Sequence, residues 1–439
     1  MKHKKIISIV SIIVGLAVIL GMVVVLNKGK QTSAISATST SKSTDASKAS
    51  TAKSSETVTA TALENATKVD LSQNANLSIT QAGTYEITGQ TKNGQIAINV
   101  GDTDQVTIVL NNVDLANTTT APIAITNGKK VTIETVEGTT NTISSTGEDA
   151  ENTATIYSKD DLSFTGKGKL VVTSAAQNAI QSKNDLTFSS GTYELTAKNE
   201  TIKGKDSVTF DGGEFILTSE SNAVKTTNTE EANQGVITVN GGTFNIKAIS
   251  DGFHASTNIV INQGDITLDV EDDGMHADGI LEVNNGTIKI DNSYEGLEAA
   301  DLQIKGGDIT VKAQDDGING AGGNDSETGT KQDNFNSSTG KVTISGGKLV
   351  VYAGLSGSGD GLDSNGDLTI TGGMITVHVP KSARDWSTID FDGTYKQSNA
   401  TVVEVAADGT TTAITQDTIA TFSGMQGGMG GGKGGPRGH

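Results

Sequence analysis

Five short segments of this chain repeat one arrangement of side chains. They read Asp251-Gly-Phe-His254-Ala, Asp273-Gly-Met-His276-Ala, Glu295-Gly-Leu-Glu298-Ala, Asp316-Gly-Ile-Asn319-Gly and Asp360-Gly-Leu-Asp363-Ser. Asp272 and Asp315 double the acid in two of them. Oxygen donors at fixed spacing suit a hard cation, because calcium takes about six to eight oxygens from carboxylates, carbonyls and water. Paired carboxylates also serve glycoside hydrolysis, but these acids are too regular to single out one pair, so no catalytic residue is assigned. A single Asp-Gly is explained by turn chemistry alone, since Asp caps its own backbone and Gly tolerates positive φ. Five copies ask how the segments lie relative to one another.

The elements that position them are legible as a repeat. Gly168, Gly191, Gly213, Gly242, Gly264, Gly286, Gly307, Gly347 and Gly373 each stand between two short alternating runs, with a base spacing near 22 residues and insertions. Leu186-Thr-Phe188 precedes its glycine and Tyr193-Glu-Leu195 follows it, while Ile180-Gln-Ser182 and Leu297-Glu-Ala299 represent a third run. Period-2 alternation predicts strands with one buried face. Three strands and three turns in one repeat predict an all-β chain, a parallel β-helix or solenoid with glycine at positive-φ corners. Leu77 to about Ile143 alternates with irregular spacing and reads as two or three imperfect coils or a cap, for about eleven coils in all. A solenoid buries a narrow column per coil, which accounts for an aromatic content of 4%.

Stacking turns the acidic segments into a file. Equivalent positions of adjacent coils lie about 4.8 Å apart, and like charges at that spacing cost on the order of a few kcal/mol per neighbour at an effective dielectric near ~20. No basic file is evident in those coils. The expectation is calcium shared between them, held by Asp251, Asp272, Asp273, Glu295, Glu298, Asp315, Asp316, Asn319, Asp360 and Asp363. The competing reading is a solvated row of acidic turns. His254 and His276 suit a softer metal or hydrogen-bond the neighbouring acids. The earlier coils carry Asn178, Glu200 and Asn222 at the first position and Gln181, Lys203 and Lys225 at the fourth, which makes metal there doubtful.

Asp315-Asp-Gly-Ile-Asn-Gly-Ala-Gly-Gly-Asn-Asp325, the recurring acidic turns and Ile389-Asp-Phe-Asp-Gly-Thr-Tyr395 resemble the bacterial calcium-binding carbohydrate-binding domain proteins. The resemblance covers roughly residues 65–425. It implies a right-handed parallel β-helix similar to pectate lyases, metal roles at Asp273, Asp316 and Asp360 with their neighbours, and binding of cellulose-like or polygalacturonate-like polymers without established catalysis.

The ends differ from the body. Residues 1–30 hold five lysines around the apolar stretch Ile6 to Leu26, long enough for a bilayer. They read as a signal anchor, or as a cleaved signal, with the body exported in both cases. Residues 31–65 form a Ser/Thr/Ala-rich stalk expected to be disordered, 66–423 the β-helix domain, and 424–439 a glycine-rich disordered tail. Taking the +5 of residues 1–30 and the +2 of the tail from the net −19 leaves −26 on the body. That charge speaks against a nucleic-acid partner, and the absence of cysteine excludes disulfides and thiol chemistry.

The expected function is calcium-dependent binding of an extracellular polysaccharide at the cell surface, with the cytoplasmic membrane engaged by the N-terminal helix. Trp386, Tyr352 and Tyr294 are the candidates for sugar stacking, with Tyr395 beside them. A calcium-dependent pectate-type lyase, with Lys203 or Lys225 as base, and an adhesin or scaffold without sugar recognition are the alternatives. The insertion 317–341 is a candidate functional loop.

Overall fold

The structure, a computed structural model, describes residues 63–231, 233–321, 340–381 and 386–419. All of them belong to the compact unit Ser55–His439. The anchor (1–30), residues 31–62 of the stalk, the tail, Arg384 and residues 322–339 of the insertion lie outside the described residues. Among the described residues no helix is long and apolar enough to cross a membrane.

The described chain is all-β, with almost no helix, its strands in one sheet system of parallel ladders closed by a single antiparallel pair. This is the pattern of a β-helix or solenoid. Every repeat contributes to three ladders, so most strands pair with the third strand along in sequence rather than the next. The first ladder stacks Val131, Leu162, Leu186, Val208, Ile237, Ile259, Leu281, Leu302, Val342, Leu368 and Tyr395. The second stacks Leu170, Tyr193, Phe215, Phe244, Ile266, Ile288, Ile309, Leu349, Ile375 and Val402.

The third ladder runs through Leu77, Ile96, Ile123, Ile156, Ile180, Ile202, Val224, Phe253, Met275, Leu297, Ile318, Leu362 and Ile389. These are thirteen levels where about eleven were expected. The difference arises at the ends, where no Gly-Gly corner marks the coil. The leading coils are regular enough to pair, with register shifts at Ile87/Gly89 and Ile98/Asn99.

Alternation sorts each strand into core and surface. In Glu214–Ser219, Phe215, Leu217 and Ser219 point inward and their neighbours outward. Each fully buried large side chain contributes about 1.5–3 kcal/mol. The aromatic residues are concentrated rather than sparse. Phe164, Phe188 and Phe210 stack at 4.9 and 5.2 Å, and Tyr193, Phe215 and Phe244 stack at 4.9 and 4.7 Å, the two columns meeting edge to face.

Gly242 illustrates the corner, with φ 107° and a hypothetical Cβ 2.9 Å from the Gly213 carbonyl oxygen. At the first numbered repeat, positive φ falls on Gly166 instead of Gly168. Thr401–Val405 ends the parallel stack and pairs antiparallel with Thr411–Ile414.

Candidate functional site

The third ladder is built from short strands, and this decides what it displays. Ile202–Gly204, Val224–Thr226, Phe253–Ala255, Ile318–Gly320 and Leu362–Ser364 are three residues each. With the outer two facing inward, each presents one outward side chain. Register then lines up Tyr157, Gln181, Lys203, Lys225, His254, His276, Glu298, Asn319 and Asp363. The sequence Leu362↔Ile389 continues the stack, which brings Asp390 next to Asp363.

The acids three residues earlier form the second row. Their first oxygens do not cap their own turns, as turn chemistry alone would have it. Each accepts the backbone N–H of the next coil: Asp251 from Asp273 at 3.0 Å, Asp273 from Glu295 at 3.1 Å, and Asp316 from Asp360. Asn178 and Asn222 do the same for Glu200 and Asp251. The glycine of each turn is likewise required for close stacking rather than for positive φ. A Cβ on Gly296 would lie 2.2 Å from the Gly317 carbonyl oxygen, and one on Gly274 2.5 Å from that of Gly296. The Asp-Gly pair is thus an inter-coil clamp, and one oxygen per aspartate remains for other work.

What that oxygen meets changes along the stack. In the early coils Asn178 donates to Gln181 at 2.9 Å, and Lys203 lies 3.4 Å from Glu200. In the middle coils the histidines take it. His254 Nδ1 is 2.7 Å from Asp251 Oδ2, and the His254 and His276 rings stack at 4.9 Å. His276 Nδ1 is 2.6 Å from Glu298 and 3.5 Å from Asp273, while Nε2 is 3.2 Å from Asp278. Ionised carboxylates only accept, so the doubly protonated ring satisfies both sides. Burial opposes that charge, but hydrogen bonds to Asp273, Asp278 and Glu298 outweigh it and hold His276 well above the ordinary histidine range. Burial likewise opposes ionisation of Asp251, and the hydrogen bond from His254 overcomes it. The middle coils therefore do carry a basic element, contrary to expectation, and it is the histidines.

The later coils have no such partner among their described neighbours. Glu295 is pushed well above the carboxylate range by burial, then by Glu298, Asp273 and Asp316. Burial, with Asp363, Asp315 and Asp360 nearby, pushes Asp316 up to about 8. Burial and the charges of Asp390 and Asp392 push Asp363 up to about 6. Asn319 donates to Glu295 at 2.7 Å, and its own carbonyl oxygen is buried without a hydrogen-bond partner.

Three groupings bring acid oxygens, or a histidine nitrogen, within 4.8 Å of one another: Asp273–His276–Glu298, Asp251–Asp272–Asp273, and Asp360–Asp363–Asp390. The last is all oxygen and partly exposed, and it suits calcium. In the first, His276 already occupies the carboxylate oxygens, which does not suit calcium. Asp390 is absent from the expected ligand set. Its signal was the Ile389-Asp pair, disguised by the long segment after Gly373.

The expected stacking residues fare differently. Tyr352 is half-buried on the outer face and stacks on His378 at 4.1 Å and 13°. Their pairing follows from second-ladder register, and His378 was not anticipated. Tyr294 is half-buried and donates to Asp315 Oδ2 at 2.8 Å. Trp386 is half-buried, packs on the core and covers Gly354, and its Nε1 is buried without a hydrogen-bond partner. Tyr395 is 7% exposed, so it belongs to the core.

A family profile described as "Carbohydrate-binding domain-containing protein" matches residues 73–322 and 268–433, which together take in most of the chain and every acidic turn. The chain belongs to this carbohydrate-binding domain family. A relative of the same description from Acetivibrio thermocellus is 33% identical over 128 residues, 28% of this chain and 45% of that protein. The match thus spans less than half the length of the curated relative. A polysaccharide lyase-like protein from C. thermocellum, solved as a gadolinium derivative, is 32% identical over 47% of this chain and 87% of its own, with a TM-score of 0.46.

Proposed function

We propose that this protein is a non-catalytic, calcium-dependent polysaccharide-binding protein, built on a right-handed β-helix and exported to the cell surface behind an N-terminal membrane anchor. The observation that carries the calcium reading is the Asp360–Asp363–Asp390 grouping, which has three carboxylates with oxygens within 4.8 Å of one another and one acid pushed up to about 6. The partnerless buried oxygen of Asn319, adjacent to Asp363 in register, supports it. Asp360, Asp363 and Asp390 would hold the ion, with Asp315, Asp316 and Asn319 beside them. Bound calcium supplies positive charge and open coordination positions to a body of net −26 that otherwise repels an acidic polymer. The chain's own residues fix the acids by the backbone clamp, and Tyr352 with His378 offers a stacking surface on the neighbouring ladder.

The test is a pull-down on insoluble cellulose and on a panel of acidic polysaccharides, with calcium and with EDTA. Retention that calcium raises and EDTA lowers is the expected result. Equal retention in both, or none on any polymer, overturns the reading. Release of unsaturated uronate products in calcium would instead establish the lyase alternative.

A further inference from the structure

The early coils carry a second cluster on the same face, of opposite charge. Lys203 and Lys225 hold the outward position of the third ladder in adjacent coils. At the corner that follows, Lys159, Lys183 and Lys205 take equivalent places in three consecutive coils. Their backbone N–H groups donate to Ile125, Ser158 and Ser182 at 3.0, 2.9 and 3.1 Å. All three corner lysines are exposed.

The placement runs against the chain's composition of 51 acids and 32 bases. Lys169, Lys198, Lys305 and Lys341 each sit within ion-pair distance of a carboxylate, and Lys203 lies 3.4 Å from Glu200. Among the described residues no carboxylate comes so near Lys159, Lys183 or Lys205. Four acids stand close in sequence, Asp160, Asp161, Asp185 and Asp206; Asp160 accepts from the Gly128 N–H at 3.0 Å, Asp185 from Ser207 at 2.7 Å and Asp206 from Asn228 at 2.6 Å. The like charges act on one another. Burial, then Lys203 and Lys205, lower the pKa of Lys183. An approaching anion relieves that repulsion without breaking an ion pair of Lys159, Lys183 or Lys205 among the described residues. The register places Lys203 and Lys225, next to the corner lysines, in line with His254, His276 and the acidic end, so one extended ligand can run over both.

We propose that Lys159, Lys183 and Lys205, with Lys203 and Lys225 behind them, form a direct, metal-independent site for the anionic groups of an acidic polysaccharide. The proposal rests on the polysaccharide reading above but not on calcium. A carboxylate or a sulfate supplies the same chemistry, and the probes separate them.

Binding of the full chain to polygalacturonate, dextran sulfate and neutral dextran is measured in EDTA over a salt series. The wild type is expected to bind at least one anionic polymer, with affinity falling as salt rises. The triple variant Lys159→Gln/Lys183→Gln/Lys205→Gln should lose tenfold or more and show a flatter salt dependence, with unchanged melting temperature and unchanged response to calcium. Which anionic polymer binds identifies the group. No binding in EDTA, equal binding of neutral dextran, or an unaffected triple variant overturns the site. Loss of calcium-dependent retention with binding in EDTA intact would remove the metal reading and leave this one standing.

Discussion

At the scale of single residues, the acidic file is three different things. Asp251 is a clamp paired with a histidine, Asp273 and Glu298 share His276, and Asp363 lies beside Asp390, Asp392 and Asp315. The consequences differ with pH. Asp363 and Asp316 have pKa values raised to about 6 and about 8, and His276 is raised as well. For all three the folded state holds protons more tightly than the unfolded state. Their stabilisation is complete below the unfolded pKa and is lost as pH rises through the folded one. In EDTA the melting temperature should therefore fall between about pH 4 and pH 8. Calcium should flatten that fall above pH 6, because the ion takes the place of the protons on the late acids. Melting scans at each pH, with EDTA and with calcium, check both parts. Asp363→Asn and Asp390→Asn should each remove most of the calcium-induced rise in melting temperature. Asp251→Asn should leave that rise in place, since its partner is His254. A full calcium shift in Asp363→Asn would count against the Asp360–Asp363–Asp390 centre.

At the scale of the elements, the first and second ladders each carry a column of three stacked aromatics. Phe215 lies between Tyr193 and Phe244 and meets Phe188 and Phe210 edge to face. Phe215→Ala should destabilise by about 3–5 kcal/mol, read from urea unfolding. Gly296→Ala should be costly for a different reason, since its new methyl would meet the Gly317 carbonyl oxygen and the Val311 side chain at 2.2 and 2.3 Å. Glycine spacing and period-2 alternation sufficed to read the ladders, because corners and inward residues recur in sequence. The file was legible for the same reason. What escaped was whatever depended on contact across coils. Hydrogen bonding of His254 and His276 to neighbouring acids was expected and is seen, but that His276 reaches Glu298 one coil on is invisible within its own turn. Asp390 opens a coil without a Gly-Gly corner, and His378 is joined to Tyr352 only by register.

At the scale of the whole molecule, the third ladder sorts charge along its length. Lysines stand in the early coils, histidines in the middle and carboxylates late. Net charge alone, at −19, conceals that order. The far end is protected by the antiparallel strand Thr411–Ile414 on Thr401–Val405. Truncation after Ala406 should uncover that edge, a template for pairing with another chain. The expected outcome is concentration-dependent self-association in light scattering, with little change in the calcium response.

The clamp between coils has a further consequence, for the lengths this chain can tolerate. Asp251 and Asp273 each hold the amide of the residue 22 positions on, and Asp316 the amide 44 positions on across the insertion, so a one-residue slip within a ladder would break every such bond beyond it and turn core side chains outward. Insertions are harmless only at corners, where the chain already carries extra residues, or as whole coils. Growth by duplication of an entire repeat would keep every stack aligned and add one outward side chain to the file. Its identity, lysine, histidine or aspartate, would be free to vary without redesign of the core. Length variation among natural forms of this domain should therefore come in steps of one repeat or cluster at corners.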